Sequence, residues 1–121
     1  IRQIVHAVKD LAPTIIFAKG AWASIGAMAE TGAAGLGIDW CIPPKTAREF
    51  AGDNITLQGN FDPAKLYAPV DVIKREVKKM ITDFGPGRYI ANLGHGILPT
   101  VPVDSARAFV DTVKEFDYST L

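Results

Sequence analysis

ITLQGNFDPAKLYAPVDVIKREVKKMITDFGPGRYIAN, residues 55–92, is the stretch whose reading decides the fold. It opens on the short apolar run ITLQG (55–59), reaches Asp62-Pro63, and then repeats Val70, Ile73, Val77, Met80, Ile81 and Phe84 at helical spacing until GPG (85–87) stops it. Asp62 suits an N-cap and Pro63 the first helical position, because a side-chain oxygen can accept the free N–H groups there and proline has none to satisfy. RYIAN (88–92) follows as a second short run. A strand, a long amphipathic helix and another strand make a crossover unit, and such units build parallel sheets.

The same alternation extends outward. Ile1, Ile4, Val5, Val8 and Leu11 recur at helical spacing before Pro13, so the chain is expected to begin in a helix. TIIFA (14–18) is a strand, closed by Lys19-Gly20; Trp22, Ile25, Met28 and Ala29 restore the helical period until Gly32. GLGID (35–39) is the next strand, and after Pro43 and Pro44 a helix carries Ala47 and Phe50. Downstream of the opening stretch, Pro102, Val103, Ala106, Phe109, Val110 and Val113 form a last amphipathic helix. The expected order is one helix and then four βα units. Two α/β architectures fit: a small doubly wound sheet, or half of a (β/α)8 TIM barrel, which takes about 250 residues in full. In both, ligands sit at the carboxyl ends of the strands.

The 121 residues are 48% hydrophobic, the composition of one globular domain rather than of a disordered chain. Thirteen basic residues cancel thirteen acidic ones, so the basic field that nucleic acid or an anionic membrane attracts is missing. The cluster Lys74, Arg75, Lys78 and Lys79 reads as a solvated helix face. A single cysteine, Cys41, excludes an internal disulfide and fits a reducing compartment, and with no signal peptide or long apolar run in view a cytoplasmic protein is expected. The chain opens on Ile1 inside an amphipathic pattern, so a preceding segment is expected.

The strand-end rule selects Lys19, then Asp39 with Trp40 and Cys41, then Gln58 with Asn60, then Asn92 with His95. Arg88 starts the last strand and is placed at the opposite end. His95 stands between Gly94 and Gly96 in NLGHGILPT (92–100), where it either serves a ligand or fills a turn. Asp39 suits a general base, but an aspartate after a strand more often accepts loop N–H groups and fixes a turn. Gln58 and Asn60, as neutral amides, suit loop ties better than proton transfer. Lys19 suits neutralising an acidic substrate, yet an exposed lysine is common on any loop. Cys41, with no second cysteine and no nearby histidine, suits neither a nucleophile nor a metal ligand; His6 reads as a surface residue. Gly32, Gly35 and Gly37 are in the wrong order for a dinucleotide fingerprint, no Gly-Lys-Ser/Thr closes a phosphate loop, and zinc-ligand spacing is missing.

Six ordered blocks, FAKG, AMAETGAAGLGIDW, KTARE, LQGNFDPAKLYA, FGPGRYIANLGHGI and AFVDTVKEF, spread over residues 15–116, are similar to the carboxy-terminal part of the uroporphyrinogen decarboxylase family. The resemblance implies that residues 1–121 are the carboxy-terminal portion of one (β/α)8 barrel, strands five to eight. It implies a homodimeric carboxy-lyase that takes uroporphyrinogen III to coproporphyrinogen III by removing four acetate carboxylates, with no metal and no organic cofactor. The family's active-site histidine falls on His95, as an auxiliary catalytic and substrate-binding residue with Gly94 and Gly96 keeping its approach open. The family's central aspartate, its arginines, a tyrosine and a serine would lie in segments before Ile1, so the 121 residues alone are expected not to decarboxylate. A half barrel would also leave two sheet edges and an apolar inner face bare.

Two rival readings remain. One is a cobalamin- or thiol-dependent methyltransferase of the same superfamily, whose relatives hold zinc through a His-x-Cys at a strand end; here the comparable strand end reads Phe17-Ala18-Lys19-Gly20. The other is a non-catalytic module that binds a tetrapyrrole or a protein partner.

Overall fold

The computed structural model describes residues 1–121. Helix α1 (Arg2–Val8) leads into β1 (Ile15–Phe17); a 3-10 turn at Trp22–Ser24 and α2 (Ile25–Ala29) lead to β2 (Gly35–Ile38). Then come α3 (Pro44–Ala51), β3 (Thr56–Phe61), a 3-10 turn at Pro63–Tyr67, α4 (Val70–Phe84), β4 (Tyr89–Leu93), α5 (Val103–Glu115) and a closing 3-10 turn at Tyr118–Thr120. The four strands are all parallel and lie in chain order. No helix is long and apolar enough to cross a membrane.

Strand alternation sorts the side chains into two faces. Leu36, Ile38, Leu57 and Phe61 point to one side and are buried with residues of α2, α3, α4 and α5 in a single core. Leu36 pairs in register with Ile16 and Leu57, and Phe61 with Leu93, so the apolar rows line up across the sheet. Fully burying a side chain such as Leu36, Leu57, Ile73 or Ile81 is worth about 1.5–3 kcal/mol. Tyr89 is held at the same layer by its hydroxyl, which donates to the Gly59 carbonyl at 2.6 Å, and by stacking on Phe84.

The opposite face carries Ile15, Phe17, Gly37, Gln58, Ile90 and Asn92 and none of α2 to α5, while α1 borders Ile15 and Phe17 at the β1 edge; Ile15, Phe17 and Ile90 are nearly half exposed. A doubly wound sheet is covered on both faces. Helices packed in chain order on one face only make the wall of a barrel, so the arrangement is that of a partial (β/α)8 barrel. β1 and β4 each pair on one side only.

Several local expectations are corrected. α1 ends at Val8 rather than Leu11, which is 82% exposed, because the turn before Pro13 cannot continue a helix. Phe50 lies on the exposed side of α3, whereas Ala47 is buried. Asp62 does cap, accepting from the Ala64 N–H, but it caps the 3-10 turn; α4 begins afresh after Pro69. At the amino-terminal end of the sheet, Arg48 donates to the carbonyls of Gly52, Ile55 and Arg88, and Arg88 donates to Asn54, which assigns both arginines to bracing that end.

Candidate functional site

β3 extends to Phe61 and β4 to Leu93, so the polar residues selected from the sequence do not all stand on loops. Gln58 lies in mid-strand, in register with Gly37 on one side and Ile90 on the other, and faces the side without helices. Asn60 is a buried strand residue whose Nδ2 donates to the carbonyls of Asp39, at 3.0 Å, and Ile42, at 2.8 Å. It ties the loop after β2 to β3, as a neutral amide is suited to do.

Asp39 is buried at the end of β2, and both of its oxygens are engaged. Oδ2 accepts from the Gly20 N–H at 2.5 Å and Oδ1 from the Cys41 N–H at 2.9 Å, so one carboxylate locks the loops after β1 and β2 together. Such charge-assisted bonds are the stronger kind. Asp39 is therefore a structural residue here rather than a free base. Cys41 is exposed, and partial desolvation followed by the neighbouring Asp39 carboxylate pushes its thiol pKa up, the opposite of what a nucleophile needs. His6 is exposed on α1, with its Nε2 beside Gly32 ahead of β2.

His95 stands two residues past β4, at the rim of a depression of about 580 Å³ on the helix-free face. Phe17, Gly37, Gln58, Asn92 and Ile97 line it as well. The glycine before the histidine has a different purpose from the one expected. The Gly94 N–H donates to the Phe61 carbonyl at 2.7 Å, and a Cβ on Gly94 would lie 2.8 Å from the Trp40 nitrogen and 3.1 Å from Asp39 Cα. Gly94 thus lets the loop after β4 press on the backbone after β2, and only Gly96, with nothing within 4 Å, leaves open space.

The imidazole of His95 meets two aromatic rings edge to face. Its centroid lies 5.9 Å from that of Phe17, with planes at 67°, and 6.3 Å from that of Trp40, at 89°. Lys19 Nζ sits 5.3 Å from the centre of the Trp40 ring, a cation–π distance. Gly37 makes room for this grouping, since a Cβ there would come within 2.9 Å of the Phe17 ring. Lys19, Trp40 and His95 are brought together as the strand-end rule expects. The sequence marks Phe17 as a residue of the first strand and of the strand end that follows it; its part in this grouping is signalled by its place at the last position of β1, on the alternate face from Ile16. No three His, Cys, Asp or Glu side chains converge as a metal-ligand set.

The family described as uroporphyrinogen decarboxylase (URO-D) matches residues 1–116. A uroporphyrinogen decarboxylase of Flavobacterium johnsoniae is 53% identical over 116 residues, covering 96% of this chain and 34% of the relative. One from Christiangramia forsetii is 56% identical over 115 residues, 95% of this chain and 34% of the relative, and the Homo sapiens protein is 50% identical over 101 residues, 84% and 28%. Among solved structures, a methyltransferase from Methanosarcina mazei superposes with a TM-score of 0.80 at 26% identity, over 95% of this chain and 34% of its own. The chain spans about a third of the length of the curated relatives it matches. With the partial-barrel sheet and the match over residues 1–116 in hand, the chain belongs to the uroporphyrinogen decarboxylase family.

Proposed function

We propose that residues 1–121 act as the carboxy-terminal part of a (β/α)8 barrel that decarboxylates uroporphyrinogen III to coproporphyrinogen III in haem biosynthesis. The observation that carries the reading is the identity of 53% and 56% to proteins named for that activity, sustained over nearly the whole chain. The bare face supports the barrel: in this fold such a face is filled by side chains of further strands. The unit is read as a cytoplasmic homodimer that needs no metal or organic cofactor.

Each acetate hangs from a pyrrole, and a protonated ring is an electron sink. When the bond to the carboxylate breaks, its electron pair passes into the ring, carbon dioxide leaves, the exocyclic carbon takes up a proton, and the ring proton is lost. His95 is the residue of this chain assigned to the substrate. Its ring makes no hydrogen bond within residues 1–121 and lies at the depression on the sheet, which supports its facing a pyrrole or carboxylate group. As imidazole it can relay a proton, and as imidazolium it can pair with a carboxylate. Orientation and electrostatics are the protein's main contributions to such a step.

The test is to supply uroporphyrinogen anaerobically to the full-length polypeptide as its source makes it, and to separate products by carboxylate number. Appearance of coproporphyrinogen through intermediates with seven, six and five carboxylates is expected; no change in carboxylate number refutes the reading. A second reading, a methyltransferase, is favoured only by the Methanosarcina mazei neighbour at 26% identity. Stoichiometric zinc by elemental analysis together with methyl transfer would support it.

A further inference from the structure

We propose that Trp40 and Phe17 are positioning residues for His95, fixing the plane of its imidazole by edge-to-face packing; the inference rests on the decarboxylase reading of that histidine. A catalytic imidazole is commonly oriented by a hydrogen bond from the nitrogen that does not face the substrate. No group within residues 1–121 bonds the imidazole in that way. What the chain provides instead is a backbone anchor and a bracket of two rings. The anchor is Gly94, bonded to Phe61 and pressed on the backbone at Trp40. The bracket comes from two other strands: Phe17 ends β1 and Trp40 follows β2, and each meets the imidazole edge to face.

The bracket is itself held. Asp39 binds the N–H groups of Gly20 and Cys41 on either side of the Lys19–Trp40 contact, and Asn60 binds the carbonyls of Asp39 and Ile42 around Trp40. Lys19 places its ammonium over the indole. The Phe17 ring fits because Gly37 has no side chain. Buried polar groups therefore stop one residue short of the histidine, and rings complete the support. The chemical consequence is that the ring contacts orient the imidazole without engaging either nitrogen, and so leave its polar edge for a pyrrole and its acetate.

The experiment is a double-mutant cycle in the full-length polypeptide, using Trp40→Ala and Phe17→Leu, each alone and with His95→Asn. A misplacement of about 1 Å at a catalytic group costs rate rather than binding, so Trp40→Ala and Phe17→Leu are expected to lower kcat by about tenfold with KM within about twofold. Trp40→Phe, which keeps a ring, should recover most of the loss. In the His95→Asn background neither change should cost anything more, because a residue acting through another has no effect once that one is gone. The Cε1 proton resonance of His95 gives a second reading: it should move in Trp40→Ala and in Phe17→Leu. Equal losses with and without the imidazole, or a resonance unmoved in both variants, overturn the proposal. Full turnover by His95→Asn itself is a separate result, which removes the histidine from the reaction and the bracket's purpose with it. If Trp40→Ala does not fold, Phe17→Leu carries the same cycle.

Discussion

Two alanines placed two residues apart are expected to behave very differently. In Gly94→Ala, the new methyl would lie 2.8 Å from the Trp40 nitrogen and 3.1 Å from the Asp39 Cα and carbonyl carbon. Ordinary contact begins at 3.4 Å, so one loop must retreat by about 0.6 Å. The atoms in the way are backbone, and they cannot rotate aside as a side chain would. They belong to the segment that Asp39 and Asn60 hold by four hydrogen bonds, so the retreat falls on the loop carrying His95. Overpacking of this kind costs about 1–3 kcal/mol. Because the histidine is the next residue, turnover should fall by roughly tenfold as well, in proportion to the hundredfold that a 1 Å displacement can cost. Gly94 is not in the left-handed region, so the loss would be steric and not conformational. Gly96 meets nothing within 4 Å and has no positive φ, so Gly96→Ala should stay within about 0.5 kcal/mol of the parent, as exposed substitutions do. Denaturant melts and steady-state turnover of both variants make the assay. A Gly94→Ala protein as stable and as active as Gly96→Ala would refute the loop-on-loop packing.

Other outcomes follow from the hydrogen bonds and charges. Asp39→Asn sets an amide N–H₂ against a backbone N–H at either Gly20 or Cys41, and should cost about 1–3 kcal/mol in a denaturant melt. Arg48→Met removes three bonds to carbonyls at the amino-terminal end and should destabilise by about 1–3 kcal/mol with kcat unchanged, since that end is remote from the strand-end depression. The Glu76 carboxyl is held below its ordinary 4.5 chiefly by the hydrogen bond from Lys65. Its contribution is therefore present above pH 4.5 and is lost as pH falls through the lowered folded value. Glu76→Gln should flatten that part of the acid limb, and high salt should weaken it in the parent. An unchanged acid limb in Glu76→Gln would count against the pair.

Much of the fold was legible because buried parallel strands and one-sided helices leave different patterns. GLGI (35–38) and the run from Thr56 are short and nearly continuous, whereas Val70–Phe84 repeats every three or four residues. The choice between a doubly wound sheet and a barrel wall was harder to read, since a strand buried on both faces and one awaiting a covering look alike. The clue lay in Gly35 and Gly37, which alternate with Leu36 and Ile38 and let the side chains of Ile15 and Phe17 lie over β2 on the other side of the sheet. At the site, Asp39 could be read as a turn-fixing carboxylate from its place after a strand. The purpose of Gly94 could not, because its neighbours Asp39 and Trp40 lie more than fifty residues upstream. The same holds for the ring bracket: Phe17, Trp40 and His95 become neighbours only through the order of the strands.

The most direct test of the account is turnover of uroporphyrinogen by the full-length polypeptide carrying His95→Asn, followed acetate by acetate beside its parent and paired with a thermal melt. The account predicts slowed decarboxylation, or a changed order of acetates, at an unchanged melting temperature, because His95 is exposed and makes no hydrogen bond within the chain. Equal turnover of every acetate by the two proteins would contradict it and leave His95 as the filling of a turn.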